Sequence, residues 1–97
     1  MPAFSLTRQA LEDLREIGRY TQEQWGRGQR RYYLALLDRC FHALAENPQP
    51  GQRCDEIRSG YRTFPSGQHL VFYCEQATGG IKVIRILHER MDLEGHL

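Results

Sequence analysis

The residues best suited to chemistry lie in the C-terminal half of the chain. Histidine titrates near neutral pH and can act as an acid or a base, and arginine stabilises charge that develops on a phosphate. Such residues would together suit cleavage of a ribose-phosphate backbone: Arg62, His69, Tyr73, His88 and Arg90. The alternative is structural, with a cross-strand histidine pair at a sheet margin and an Arg62 that binds a backbone carbonyl or an acidic partner. Composition alone favours this alternative.

Two other apparent motifs do not support metal binding, and the sequence predicts neither a metal site nor a cofactor. The segment from His88 to Asp92 begins like the zinc motif H-E-x-x-H, but its fifth residue is Asp92. It also follows a predicted strand, whereas the zinc motif lies within a helix. Cys40 and His42 are two residues apart on a predicted helix, so they point to different faces and form a poor ligand pair.

The chain has 97 residues, with 13 basic and 12 acidic side chains and a formal net charge of +1. This length predicts a single domain, residues 1–97, with one layer packed on another. The charge balance argues against a protein that coats DNA through excess lysine and arginine. No apolar run reaches the roughly 20 residues that cross a bilayer, so no membrane partner is expected. Three cysteines without paired spacing favour a reduced, cytoplasmic chain.

Two amphipathic helices are predicted in the N-terminal half. Apolar residues recur at three- and four-residue steps over 10–25 and again over 33–44, which is the helical period. Thr7 is placed to cap the first helix, and Gly26 to end it. The second helix stops at Asn47-Pro48, because the residue before a proline disfavours helix. We therefore expect an antiparallel helical hairpin.

The period changes to two after residue 51, which predicts strands at 61–64, 69–76 and 81–88. Short connections between them imply antiparallel neighbours. Residues 4–7 form a short apolar segment that is expected to join the sheet at an edge. The predicted fold class is α+β, with the helical hairpin packed on a small, mainly antiparallel sheet.

The turns determine which side chains share a face of the sheet. A two-residue turn at Ser66-Gly67 and a four-residue loop at 77–80 would pair Phe64 with His69, and His69 with His88. One face is then apolar enough to pack under the helices: Leu70, Phe72, Cys74, Ile81, Val83 and Leu87. The other face mixes aliphatic side chains with the histidines: Arg62, Phe64, His69, Val71, Tyr73, Glu75, Lys82, Ile84, Ile86 and His88.

The chain as a whole closely resembles the ParE toxins of bacterial toxin–antitoxin modules, which belong to the wider RelE/ParE superfamily. The resemblance runs from Leu6 to Leu97, and four segments carry most of it: Ala45–Pro48, Gly60–Arg62, His69–Tyr73 and Ile86–Asp92. Each segment alone is a weak signal, and their combination is specific.

This resemblance implies a non-enzymatic toxin that inhibits DNA gyrase, traps its complex with cleaved DNA and blocks replication. It also implies a ParD-like antitoxin, which binds promoter DNA and wraps its C-terminal segment around the toxin, so that the toxin meets DNA only indirectly. RelE-like relatives instead cut mRNA on the ribosome, and this alternative would use Arg62, His69, His88 and Arg90. A third alternative is a binding module that has lost its toxicity. With Lys82 as its single lysine, the chain differs from the lysine-rich surface of RelE, which favours the gyrase hypothesis.

Apolar side chains would seat an amphipathic antitoxin helix, and arginines would pair with its carboxylates. The candidates are Leu11, Leu14, Tyr20, Trp25, Tyr33, Phe64, Ile86, Arg58, Arg62 and Arg85. For Leu11, Leu14 and Tyr33 the alternative role is hairpin core. Candidate contacts to gyrase lie at and beyond the end of the last strand: His88, Arg90, Met91 and Asp92.

Overall fold

A computed structural model describes residues 3–90, over which the chain forms two helices and one mixed sheet. The elements in chain order are β1 (Phe4–Leu6), α1 (Arg8–Trp25), α2 (Arg27–Glu46), β2 (Gln52–Arg53), β3 (Arg62–Ser66), β4 (His69–Glu75) and β5 (Ile81–His88). The strand order is β1-β5-β4-β3-β2, with β1 parallel to β5 and the other pairs antiparallel. The predicted α+β fold and its N-terminal edge strand are confirmed, whereas β2 at the opposite edge was not predicted. Neither described helix is long and apolar enough to cross a membrane.

Local capping explains where the helices begin and end. The Thr7 hydroxyl accepts a hydrogen bond from Ala10 N at 3.0 Å and donates one to Ile84 O at 2.7 Å, so the cap also joins α1 to the sheet. Gly26 separates the two helices with a φ of 91°, a conformation that favours glycine. The predicted hairpin and its break are confirmed.

The turn between β3 and β4 differs from the predicted one. Ser66 pairs with His69, so the turn residues are Gly67 and Gln68. Phe64 therefore lies opposite Val71, and its predicted pairing with His69 is wrong. A two-residue shift leaves every side chain on the same face, because side chains alternate with a period of two. The predicted pairing of His69 with His88 is confirmed. The predicted four-residue loop at 77–80 is wrong: residues 76–80 connect the strands, and Glu75 pairs with Ile81.

A β-bulge in β5 overturns the prediction of which side chains face the helices. Phe72 pairs with Arg85 but Tyr73 pairs with Val83, so the pairing steps past Ile84. An extra residue reverses the alternation along one strand. The helices consequently cover a set drawn from both predicted faces: Phe64, Val71, Tyr73, Ile81, Val83 and Ile86. Leu70, Phe72 and Leu87, predicted to face the helices, pack on the far side against Cys54, Ile57 and Tyr61.

A partly buried ion pair joins α1 to this bulge. Asp13 Oδ2 accepts hydrogen bonds from Arg85 Nε at 2.8 Å and from Ile86 N at 3.0 Å, and its Oδ1 accepts one from Arg85 Nη2 at 3.0 Å. The Asp13 side chain is 16% exposed and the Arg85 side chain is 15% exposed. The pKa of Arg85 is raised, chiefly by its hydrogen bond to Asp13. The carboxylate thus fixes both the guanidinium and the backbone that follows the bulge.

Replacing Asp13 by Ala should lower the free energy of unfolding by about 2–4 kcal/mol, because it leaves a partly buried guanidinium and a backbone N–H without the Asp13 acceptor. Urea unfolding followed by circular dichroism measures the change. Glu12→Ala is the matched control: the Glu12 pair with Arg8 is solvent-exposed at 3.8 Å, and its loss should cost under about 0.5 kcal/mol. Equal losses in the two variants would show that the bulge does not depend on Asp13.

Candidate functional site

A groove of about 650 Å³ opens between the hairpin and the end of the sheet where β4 begins and β5 ends. Its lining defines what we call the aromatic groove: Glu16, Ile17, Tyr20, Thr21, Trp25, Gln29, Tyr33, Gln68, His69 and His88. Tyr20 and Trp25 lie on its rim, 57% and 63% exposed, with ring centroids 6.0 Å apart. The groove has the size and the largely apolar walls of a binding site.

Tyr33 fixes the inner wall of the aromatic groove to the β3–β4 turn. Its hydroxyl accepts a hydrogen bond from Gln68 N at 2.9 Å and lies 2.6 Å from His69 Nδ1. Gly67 has a φ of 59°, and a Cβ added there would lie 2.5 Å from the Tyr33 hydroxyl. Glycine is therefore required by both its backbone conformation and the close approach of Tyr33.

The His69 ring is uncharged at neutral pH. Burial, reinforced by the neighbouring His88, lowers the pKa of His69 to about 4. Burial raises the pKa of the Tyr33 hydroxyl, which therefore stays protonated. The Tyr33 hydroxyl and His69 Nδ1 share one hydrogen bond, whose direction is set by the tautomer of the neutral ring. The hydroxyl also lies 3.5 Å from Ser66 O, which is a second acceptor. The His69 and His88 rings meet edge to face with centroids 5.5 Å apart.

The structure does not bring Arg62 to the histidines. Arg62 donates to Gly51 O at 2.8 Å, to Gln49 O at 3.3 Å and to Gln49 Oε1 at 3.2 Å. It begins β3 four residues before Ser66, the partner of His69, a separation of about 13 Å at the usual rise of a strand. Arg62 thus has the structural role that the sequence left as an alternative, with backbone carbonyls as acceptors.

Tyr73 is likewise committed to the connection that follows α2. Its side chain is buried, its hydroxyl donates to Pro48 O at 2.7 Å and it accepts a hydrogen bond from Gly51 N at 2.9 Å. Of the five residues proposed to cleave a ribose-phosphate backbone, His69 and His88 lie side by side. Arg90 lies next to His88, since Arg90 N donates to His88 Nδ1 at 3.2 Å.

The candidate antitoxin contacts separate into several places. Tyr20, Trp25 and Tyr33 share the aromatic groove with His88, although the sequence assigned His88 to gyrase. Leu14 lines a second groove of about 350 Å³ between the two helices and β1, and Leu11 is 39% exposed. We call this second site the hairpin groove. Its lining is Phe4, Leu6, Leu14, Arg15, Arg30, Leu34, Asp38 and Phe41.

The remaining candidates are less accessible or lie elsewhere. Ile86 is 2% exposed, so the expectation that it contributes from an exposed sheet face is wrong, because the helices cover that face. Phe64 is partly buried against the same core, and Arg85 is engaged by Asp13. Arg58 is exposed between β2 and β3.

Sequence reasoning missed Arg15, Arg30 and Leu34 in the hairpin groove. The signal was present on α2, where Arg30, Leu34 and Asp38 recur at four-residue steps and therefore share one face. His88 and Arg90 lie at or beside the aromatic groove, whereas Met91 and Asp92 lie outside the described residues. Among residues 3–90, no three His, Cys, Asp or Glu side chains cluster closely enough to hold a metal ion.

Comparison with known proteins identifies the family. Residues 4–93 match the family model described as "ParE toxin of type II toxin-antitoxin system, parDE". The chain belongs to the ParE toxin family. Toxin ParE1 of Mycobacterium tuberculosis is 40% identical over 94 residues, which are 97% of this chain and 96% of that toxin. Toxin ParE1 of Caulobacter vibrioides is 36% identical over 97 residues, 100% of this chain and 99% of that toxin.

A ParE toxin of Escherichia coli is 40% identical over 93 residues, covering 96% of this chain and 90% of that toxin. A solved structure described as the chromosomal ParDE TA system from P. aeruginosa superposes with a TM-score of 0.75. That match covers 91% of this chain and 96% of the solved chain at 18% sequence identity, and it shows a shared fold. The resemblance found from the sequence is confirmed.

The depressed pKa of His69 should make the folded state sensitive to acid. The unfolded chain binds a proton near pH 6.5, whereas the folded chain resists it until about pH 4, so the free energy of unfolding should fall as the pH drops through this window. The His69 contribution is about 1–2 kcal/mol after allowance for the partial solvation of the ring. Denaturant unfolding of wild type and His69→Asn at several pH values measures it. The difference between the two proteins should stay constant above pH 7 and shrink below it; parallel curves would contradict the assignment.

Proposed function

We propose that this chain is the toxin of a type II toxin–antitoxin module, that it inhibits DNA gyrase by binding it and not by catalysis, and that a ParD-like antitoxin neutralises it. The observation that carries the proposal is the match to ParE toxins along nearly the whole chain, at 36–40% identity to named toxins. A ParDE system is also the description of the solved structure that shares this fold. The name ParDE pairs the toxin with ParD, which is why we assign a ParD-like partner.

The aromatic groove supports a protein target. Trp and Tyr side chains dominate the binding energy of protein interfaces, and the groove exposes Tyr20 and Trp25 beside a His69 that stays neutral near pH 7. An aromatic surface that carries the Glu16 carboxylate and no Arg or Lys in its lining favours apolar and hydrogen-bonding groups of a protein over a phosphate backbone. We assign gyrase contact to this groove, together with His88 and Arg90 at its edge, and retain Met91 and Asp92 as predicted contacts.

The geometry gives less support to the ribonuclease alternative. Cleavage of a ribose-phosphate backbone needs an acid, a base and a cation within hydrogen-bond reach of one phosphate. Arg62 is held on Gln49 and Gly51, about 13 Å along the sheet from His69. The Nδ1 of His69 already faces the Tyr33 hydroxyl at 2.6 Å. The histidine pair therefore acts as part of a binding wall in this proposal.

Truncation of the groove rim should weaken inhibition of gyrase. Trp25→Ala and Tyr20→Ala should each raise the toxin concentration for half-inhibition of supercoiling roughly tenfold or more, because interface hot spots cost over about 1.4 kcal/mol. Tyr32→Ala is the matched control: Tyr32 is 58% exposed, as Tyr20 is at 57%, and does not line the groove. A DNA gyrase supercoiling assay with purified proteins measures all three variants.

The same preparations should be tested for mRNA cleavage on translating ribosomes. We expect inhibited supercoiling, accumulated gyrase–DNA cleavage complexes and intact mRNA. Cut mRNA with unchanged supercoiling at saturating toxin would reject the gyrase proposal and favour the ribonuclease. Inhibition that Trp25→Ala and Tyr32→Ala weaken equally would keep gyrase as the target but exclude the aromatic groove as its contact.

A further inference from the structure

We infer that the aromatic groove holds an arginine side chain of the target protein, stacked on Tyr20 and Trp25 and paired with Glu16. This inference rests on the proposed function and adds the chemistry by which the groove recognises gyrase. Three observations carry it: the angle between the two exposed rings, the carboxylates around them, and a lining that over residues 3–90 includes no arginine or lysine.

Tyr20 and Trp25 form two walls of an open corner. Their ring planes are inclined at 76° with centroids 6.0 Å apart, and both residues are exposed. A cation is attracted to the face of an aromatic ring when it lies within about 6 Å of the ring centroid. A cation in this corner can lie within that distance of both rings. Aromatic cages that bind cationic groups are built from such converging rings.

The rim beside these rings is negatively charged. Glu16 precedes Tyr20 by four residues, so the two side chains are neighbours on α1, and Glu16 lines the groove. Arg19 donates to Glu16 and also to Glu23, so two carboxylates share one guanidinium. Residues 16–25 contain two glutamates and one arginine, which leaves a net charge of −1. A carboxylate offers about four acceptor positions, so Glu16 retains capacity for a second guanidinium.

The inner wall of the groove adds a second negative charge. Glu89 N donates to Gln68 O at 3.0 Å, which places Glu89 beside the turn that lines the groove. Burial raises the pKa of the Tyr33 hydroxyl, and the negative charge of Glu89 raises it further. The neighbouring His69 ring is uncharged at neutral pH, because burial lowers its pKa to about 4. A neutral ring beside a carboxylate does not repel an incoming cation.

The groove favours arginine over lysine because it combines ring faces with hydrogen-bond acceptors. A guanidinium has a planar face that stacks on an aromatic ring and five N–H donors around its edge. Gln29 and Gln68 line the groove, and their amide oxygens can accept from those donors. A lysine ammonium is a strongly hydrated point charge without such a face. A phosphate group would be repelled by Glu16.

The first test uses Trp25, the single tryptophan of the chain, as an intrinsic fluorescent probe. The full-length toxin is titrated with the tripeptide acetyl-glycyl-arginyl-glycine amide and with its citrulline analogue, which keeps the shape of arginine without its charge. The arginine peptide should bind roughly tenfold more tightly, because citrulline lacks both the cation–π attraction and the ion pair with Glu16. Equal affinities, or no change in Trp25 fluorescence with either peptide, would overturn the inference.

A matched pair of variants tests the carboxylate. Glu16→Gln should weaken binding of the arginine peptide roughly fivefold and raise the toxin concentration for half-inhibition of supercoiling to a similar extent. Glu23→Gln is the control: it removes the same charge from the same helix and also releases Arg19, but Glu23 does not line the groove. The control should stay within about twofold of wild type in both assays. Equal losses in the two variants would reject Glu16 as the partner of the arginine.

A second pair of variants separates an aromatic ring from apolar bulk. Trp25→Phe keeps a ring face and should inhibit supercoiling within about threefold of wild type, whereas Trp25→Leu should be roughly tenfold weaker or more. Equal losses would show that the groove recognises apolar bulk, which overturns the arginine site while inhibition of gyrase stands. Preference for the arginine peptide by a wild-type toxin that leaves supercoiling unchanged would instead support the arginine site while the proposed function fails.

Discussion

The hydrogen bonds of the Asp13 carboxylate hold helix α1 against the irregular part of β5. The bulge in β5 reverses the alternation of side chains, and Asp13 accepts both the Ile86 N–H beside it and the Arg85 guanidinium. Because α1 is fixed there, Glu16 and Tyr20, three and seven residues further along, lie over the end of the sheet that carries His69 and His88. Asp13 and the Thr7 cap together attach α1 to β5 at the bulge, and the same helix supplies one wall of the aromatic groove.

The second helix is attached by different means, and this makes two separate surfaces. Tyr33 of α2 packs on the β3–β4 turn at Gly67, and Gly18 of α1 lets Arg30 and Leu34 approach closely. The hairpin is thus held at both helices with a groove on each side. The aromatic groove includes Glu16 and no Arg or Lys in its lining. The hairpin groove has leucine and phenylalanine side chains with Arg15, Arg30 and Asp38.

Much of the fold follows from the sequence because its causes are local. The helical period, the Thr7 cap and the glycine break specify the hairpin. The histidine pairing was predicted from a four-residue loop, but the loop is one residue longer and the bulge restores the pairing. The bulge could not be predicted, because residues 81–88 place apolar side chains on both faces and two registers satisfy the pattern equally. The role of Arg62 could not be predicted either, because the sequence does not distinguish an arginine that binds a substrate from one that donates to Gly51 O.

The charged side chains are unevenly distributed, although the net charge is small. A formal charge of +1 on 97 residues argues against a general affinity for nucleic acid, but it does not require an evenly neutral surface. Three arginines without a compensating acid occupy 24–37, while Glu16 and a neutral His69 face the other groove. A 97-residue chain therefore presents one groove with two arginines in its lining and another with a glutamate and no arginine. The net charge therefore describes neither groove, because the two grooves carry different charged side chains.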